Sequence, residues 1–579
     1  MKRTLSLLLP ALLAACATPQ VAQRSSTPVE VGVIAINDFH GALEPPKQSV
    51  VVPDGKGDVE QVPAGGGAWL ASAIDSLKAK RPNHVVVGAG DMTSASQLAS
   101  SIYLDEPAVG VLNRIGLEFN AVGNHEFDRG RQELLRLQNG GCEKHTASEP
   151  CQLEQFKGAG YKYLSASTLT EDGSPLFPAT GLKSFGSGAS KVTVGFIGLS
   201  LKGVPDLVSP IGIAGLTFAD EADTINKAVP VLKEQGADAV VVLIHQGGKT
   251  KGLPNPQTCE NFYGDILPIL ARLDPRVDVV VSGHTHWSYV CDYGAVDPTR
   301  PFLLTSAGVY GALVTDIVLS IDPVANKVVA KSANNVIVQS LAYTGASHLI
   351  SNNDKYPRFE PRADVQQYIQ RYVDAASAFS RRPVGKVSGP AARPGGDASN
   401  TGGNLGNLLA DAHLAATKEA GAHMAFTNPF GIRTPLAPAA DGGVTFGQLY
   451  AIQPFNNTLI TLTLTGAQIA EVIEDGLDDQ GPKQILSPSA NVRFTYDLTR
   501  PARSRIVSLT LNGKPIDPAV NYRVTTNNFL ANGGDGFATF AKGTQQQVGT
   551  TDIDAFAAWI SAVPMRQVPQ ELRAVPVGQ

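Results

Sequence analysis

The 579-residue chain is poor in cysteine, with five in all, too few for a disulfide scaffold. It has no excess of positive charge: 47 Lys and Arg stand against 52 Asp and Glu, a formal net charge of -5. A protein that works mainly by neutralising nucleic-acid phosphates would carry a basic excess, so a nucleic-acid partner is not expected. After the N-terminal segment no apolar run approaches the ~20 residues that cross a bilayer. What is present is an ordinary globular balance, 43% hydrophobic and 17% charged, over a length that suits several domains of ~150 residues.

The N-terminus reads as a targeting segment. Met1-Lys2-Arg3 is a short positive region, Leu5 to Leu13 an apolar stretch, and small residues follow, so residues 1–15 are expected to be a secretory signal that is removed. Leu13-Ala14-Ala15-Cys16 resembles a bacterial lipobox, which would make Cys16 lipidated and residues 16–28 a lipid-bearing tether rich in Ser, Thr, Gln and Pro. The other reading is an ordinary cleavage site that contains a cysteine. Loss of Lys2 and Arg3 makes the chain more acidic, so the lipid, not electrostatics, would hold it on a membrane. The expected location is outside the cytoplasm, in the periplasm or cell envelope. In that oxidising setting Cys142, Cys151, Cys259 and Cys291 allow three pairings, of which Cys142–Cys151 and Cys259–Cys291 are favoured.

From Val29 to about residue 350 short β-branched runs alternate with helix-like stretches. The runs are 31–37, 84–90, 119–123, 192–200, 239–245 and 277–283. They are nearly continuously apolar, as strands covered on both faces are, and predict a layered α/β domain over 29–350. Helical spacing over Asp364 to Phe379, ended by Arg381-Arg382-Pro383, predicts an interdomain helix within a 351–383 linker. Residues 384–579 change pattern, with a helix start at Asn404, strand-like 458–466 and 505–516, and a helix from Ala467 to Leu477. That predicts a mixed α+β second domain.

Potential ligands sit at the carboxyl ends of five of these runs: Asp38 and His40, Asp91, Asn124, His245, and His284 with His286. Ligands gather beyond strand C-termini in an open α/β sheet, so these residues are expected to converge although far apart in sequence. In an extended strand end residues i and i+2 share a face, which would aim Asp38 with His40 and His284 with His286 at one ion each. Glycines before Asp91, Asn124 and His284 would permit tight turns. Imidazole, carboxylate and amide oxygen without cysteine suit Zn, Mn or Fe. Seven such donors exceed the needs of one ion, and a pair ~3.5–4 Å apart can clamp a phosphoryl group during in-line displacement. Taken singly, each of these residues is more simply a satisfied turn residue; it is their ordering along one domain that points to a dinuclear centre.

The motifs D-x-H, G-D, Gly123-Asn124-His125-Glu126-Phe127-Asp128, a strand-end His and Gly283-His284-Thr285-His286 resemble the calcineurin-like metallophosphatases. With Asn528 to Phe537 in the second domain they are similar to the exported 5′-nucleotidase and UDP-sugar hydrolase branch. The resemblance implies an α/β/β/α-type metallophosphatase domain followed by a 5′-nucleotidase C-terminal domain of mixed α+β structure. It implies Asp38, His40, Asp91 and His286 around one divalent ion and Asp91, Asn124, His245 and His284 around the other, with His125 and Asp128 as catalytic dyad. It also implies a nucleotide pocket: Phe455 and Phe529 stacking the base, Asp535 on the ribose, Asn428 and Arg433 in a substrate-gripping loop where Phe430 replaces a usual glycine. A second family arginine has Arg393 as its nearest match, too far upstream to align. The family's domain motion would put a hinge at the 364–379 helix.

The expected activity is hydrolysis of nucleoside 5′-monophosphates, and of other nucleotides, to nucleoside and phosphate. A 2′,3′-cyclic phosphodiesterase with 3′-nucleotidase activity and a nucleotide-sugar hydrolase are alternatives on the same fold. A surface lipoprotein that only binds nucleosides is the alternative from another class. No obligate protein partner is evident.

Overall fold

The apolar runs fold into strands because each can bury both faces. In the computed structural model, which describes residues 27–577 apart from 55–57, 147, 209–211, 251–257, 345–348, 394–400, 456 and 480–482, two six-stranded sheets lie face to face. The signal segment, Cys16 and most of the tether lie outside the described residues. The first sheet runs Lys327–Ile337, Leu313–Asp322, Val29–Ile36, His84–Gly88, Leu117–Ala121, Lys162–Leu164. The second runs Ser288–Asp292, Leu303–Ala307, Val279–Ser282, Ala239–His245, Val192–Ser200, Thr180–Phe185. The strands carrying the candidate ligands are parallel to their ligand-bearing neighbours within each sheet.

The period of two along each strand sorts residues between layers. Val31, Val33 and Ala35 meet Phe196, Val241 and Leu243 in the core between the sheets. Ile34 and Ile36 point the other way, onto the helices Gly67–Lys80 and Glu106–Ile115. Across the molecule Ile197, Val240 and Val242 pack on the helix Glu221–Glu234. The result is the four-layered α/β/β/α arrangement. This is the layered arrangement expected, and the strands that carry the candidate ligands divide three and two between the facing sheets.

The expected interdomain helix forms as Ala363–Ser380. Its apolar stripe, Val365, Tyr368, Ile369, Tyr372 and Ala376, is buried in the first domain's core. Its C-terminal end meets the second domain, where Phe379 lies edge-on to Phe446 at 4.8 Å and Arg382, just past the helix, lies 4.6 Å over the same ring. A bend through the middle of this helix would expose that stripe.

The second domain combines a five-stranded sheet, in which Thr458–Thr465 lies between Asn521–Asn527 and Thr544–Thr551, with a four-stranded sheet. Ile506–Leu511 turns back through Asn512-Gly513, both at positive φ, into Lys514–Pro515. Helices Gly403–Ala416, Gly466–Leu477 and Asp552–Ser561 cover these sheets. The disulfides are Cys142–Cys151 and Cys259–Cys291.

Gly110 reports the docking of the 363–380 helix, since a Cβ there would lie 2.0 Å from the Tyr368 hydroxyl. Gly110→Ala is expected to lower the unfolding free energy by about 1–3 kcal/mol in urea titrations, and Tyr368→Phe in the same background to restore part of it.

Candidate metal centre

The first sheet delivers Asp38 and His40 from just past Val29–Ile36, Asp91 from past His84–Gly88, and Asn124 from past Leu117–Ala121; the second delivers His245, the last residue of its strand, and His284 and His286 from past Val279–Ser282. Their donor atoms form two groups, Asp38–His40–His286 and Asp91–His245–His284, each with ligand atoms within 4.8 Å of one another. Asn124 Oδ1 joins the second group, 3.2 Å from His245 Nε2 and 3.0 Å from His284 Nδ1. Asp91 Oδ2 reaches both, 3.0 Å from His245 Nε2 and 3.8 Å from His40 Nε2.

Five of these residues are not in extended backbone, so the i, i+2 argument from a straight strand end is corrected, and His284 and His286 fall in different groups. Asp38, His40, Asp91, His284 and His286 have φ of 50°, 46°, 53°, 71° and 58°. A left-handed conformation is costly for such residues, and its concentration at one point marks a functional site. The preceding glycines are needed as expected where a larger residue would obstruct: Gly90 is at positive φ, and at Gly123 and Gly283 a Cβ would sit 2.1 Å from Asp91 Oδ1 or 2.9 Å from Asp38 Oδ2.

Proton accounting tests the fit to cations. His40 Nδ1 is 2.9 Å from the Ser94 carbonyl and His245 Nδ1 2.8 Å from the Ala89 carbonyl, and a carbonyl only accepts. Each Nδ1 therefore carries hydrogen, and in neutral rings each Nε2 presents a lone pair. His40 Nε2 faces His286 Nε2 at 3.2 Å, and His245 Nε2 faces oxygens of Asp91 and Asn124. Donor atoms gathered this closely need a proton or a cation between them, and carbonyl-anchored imidazoles are the usual outer support of metal ligands. The residues fit two divalent ions. Without cations, burial opposes charge on every ring, yet Asp91 holds the His245 imidazole up at about 10, a proton standing where a cation would, while burial pushes His40 and His284 down to about 3. Burial raises the Asp38 and Asp91 carboxyls, but the imidazoles of His286 and His245 respectively outweigh it and keep both lowered.

His125 lies beside the cluster, its ring 5.2 Å from that of His40, with Nδ1 2.8 Å from Asp128 Oδ2. Against the opposing effect of burial, Asp128 and Asp91 raise the His125 imidazole above its ordinary value. From the second domain, Phe455 stacks on His125 at 5.6 Å and 14°, and the Arg433 guanidinium is 5.7 Å from the Phe455 ring. Asn428 Nδ2 donates to Asp535 Oδ2 at 2.5 Å. Phe529 packs its ring edge against Gly534, in the loop that carries Asp535. Arg393, unalignable by sequence, is brought to this pocket: its Nη1 donates to the Pro429 carbonyl at 2.9 Å, it lies 5.9 Å from the Phe430 ring, and burial together with Arg433 lowers its guanidinium.

Comparison with known proteins places the chain among phosphoesterases. The calcineurin-like phosphoesterase family profile matches residues 32–288 and the 5′-nucleotidase C-terminal domain profile matches 383–542. The chain is 30% identical to the Endonuclease YhcR of Bacillus subtilis over 92% of its own length, spanning 40% of that protein. It is 24% identical to the NAD 5′-nucleotidase of Haemophilus influenzae, covering 92% of this chain and 89% of that one. Among solved structures, the 5′-nucleotidase precursor of Thermus thermophilus superposes with a TM-score of 0.73 at 24% identity, over 95% of this chain and all of that one. Among the described residues no helix is long and apolar enough to cross a membrane.

One site residue escaped sequence reasoning. Glu126 lies in the quoted motif without an assigned role, yet its buried carboxylate accepts from the amides of Asp91, Met92, Thr93 and Gly123 at 2.8, 2.7, 3.2 and 2.6 Å, binding one ligand turn to the other. Burial and the neighbouring Asp91 push it up to about 7. Its spacing gave no signal, because an acid two residues beyond a candidate ligand is as readily an exposed turn residue. Gly123→Ala, which drives a methyl into Asp91, is expected to weaken Mn²⁺ binding at least about tenfold by titration calorimetry; wild-type affinity would contradict this geometry.

Proposed function

Because the chain belongs to the 5′-nucleotidase family of calcineurin-like phosphoesterases, we propose that it hydrolyses nucleoside 5′-monophosphates to nucleoside and phosphate. The observation that carries this reading is the stacking of Phe455, from the second domain, on His125 at the edge of the paired clusters. That contact sets an aromatic base-stacking surface within reach of the phosphoryl-handling groups.

In this reading Asp38, His40, Asp91 and His286 hold one Zn, Mn or Fe ion and Asp91, Asn124, His245 and His284 the other. When bound, such a pair supplies Lewis acidity at the phosphoryl oxygens and brings the pKa of a water toward neutrality. The chain does the rest. Asp128 accepts from His125 Nδ1, which leaves Nε2 to hold a proton toward the leaving ribose oxygen; that proton goes to the oxygen as a water oxygen bonds to phosphorus and the bond from phosphorus to the ribose oxygen breaks. Arg433 and Arg393 provide adjacent guanidinium groups for phosphate oxygens, and their pairing favours substrates with a second phosphate as well. Asn428 orients Asp535, which accepts from a ribose hydroxyl, while Phe455 and Phe529 meet the base, each stack being worth ~1–3 kcal/mol. We also read residues 1–15 as an export signal and Cys16 as a lipid anchor in the cell envelope.

Purified protein with Mn²⁺ is expected to release phosphate from 5′-AMP faster than from 3′-AMP, 2′,3′-cyclic AMP, UDP-glucose or NAD; no release from 5′-AMP would overturn the reading. His125→Ala is expected to lower kcat by about 10²–10⁴-fold while adenosine affinity is kept. Burial, only partly offset by Asn428 and Arg433, holds the Asp535 carboxyl at about 6. A carboxyl raised in this way loses its charge as pH falls through that value, so KM for AMP is expected to rise below about pH 6, and Asp535→Asn to lack that limb.

A further inference from the structure

A hydrogen-bonded path crosses from the metal domain to the substrate loop at a place that neither the metal centre nor the pocket explains. Arg129, the residue after Asp128, donates from Nη1 to Asp105 and from Nη2 to Ser101 Oγ at 2.7 Å. Ser101 Oγ lies 2.5 Å from Tyr450 Oη, and Tyr450 Oη lies 2.9 Å from the Pro454 carbonyl. Ser101 is at the end of a short helix in the first domain; Tyr450 is on the helix Phe446–Ile452 of the second.

The direction of every link follows from the atoms. A guanidinium never accepts and a carbonyl never donates. Arg129 therefore donates to Ser101, Tyr450 spends its one proton on Pro454, and Ser101 must donate to Tyr450. Each hydroxyl gives one bond and takes one. Both are buried, Ser101 at 8% and Tyr450 at 7% exposure, so water does not readily replace a lost partner. The far end of the path matters because the Pro454 carbonyl belongs to the peptide plane that launches Phe455, the ring stacked on His125. The near end is tied to the metal centre: Asp105 also accepts from the Ser94 amide at 3.0 Å, and the Ser94 carbonyl accepts from His40 Nδ1. Apolar packing accompanies the path, with Leu98 of the first domain buried in the same core cluster as Tyr450.

We propose that Tyr450 is a positioning residue: by accepting from Ser101 and donating to Pro454 it holds Phe455 in place only while the two domains are docked as seen here. The substrate loop is thereby set by the metal domain's own surface. The inference rests on the nucleotidase reading for its consequence, not for its geometry.

The test uses Tyr450→Phe, Ser101→Ala and the double variant, with AMP and p-nitrophenyl phosphate as substrates and spin labels at the exposed positions 79 and 514, one on each domain. Tyr450→Phe is expected to raise KM for AMP about tenfold while p-nitrophenyl phosphate turnover, which needs no base-stacking ring, stays within about twofold. The double variant is expected to be no worse than Tyr450→Phe, because the residues act in series. The interdomain distance distribution, measured by electron–electron resonance, is expected to broaden in Tyr450→Phe. An unchanged KM with an unchanged distribution overturns the proposal, as does a parallel loss on both substrates. If the unmodified protein fails on AMP, the nucleotidase reading falls and the distance distribution alone decides: a broadened one supports the latch and an unchanged one removes it.

Discussion

Imidazole nitrogens and carboxylate oxygens crowd together at about hydrogen-bonding distance at the seam of two sheets, and so dense a set of donors needs protons or cations among them. Everything else at this end of the molecule serves that constraint. The strands that present the ligands are buried on both faces, so their ends cannot drift. The carbonyls of Ser94 and Ala89 fix which nitrogen of His40 and His245 is bare. The Glu126 carboxylate binds the Asp91 and Gly123 turns together, and the left-handed backbone at five ligands is a local cost that the surrounding layers sustain.

The second domain meets this centre through directed contacts and through apolar packing that takes in Leu98. The Phe455 stack on His125, the Arg433 guanidinium over the same phenyl ring, and the Tyr450 link to Ser101 lie on one side of the cluster. The apolar stripe of the 363–380 helix is buried with the first domain's core, and its C-terminal end meets the second domain at Phe446.

Much of this was legible in the sequence, for physical reasons. Strands covered on both faces have to be continuously apolar, so residues such as 239–245 announce themselves, and ligands at their ends are read by position. Strand order was not legible, because a run such as Val279–Ser282 carries no mark of which sheet it joins. The hairpin Leu313–Ile337 was missed since its outer strand is half-exposed and irregular in pattern. The left-handed turns were invisible because Asp and His in that conformation look like Asp and His in any other. Arg393 shows the limit most plainly: sequence distance from its expected motif hid it, and folding returns its guanidinium to the loop of Asn428 and Arg433.

The central claim is that the buried donors hold two cations, one per cluster. Anomalous diffraction from crystals soaked in Mn²⁺ tests it most directly: the account predicts two strong peaks, one among Asp38, His40 and His286 and one among Asp91, His245 and His284, with Asp91 touching both. A single peak, or none within reach of these side chains, would contradict it.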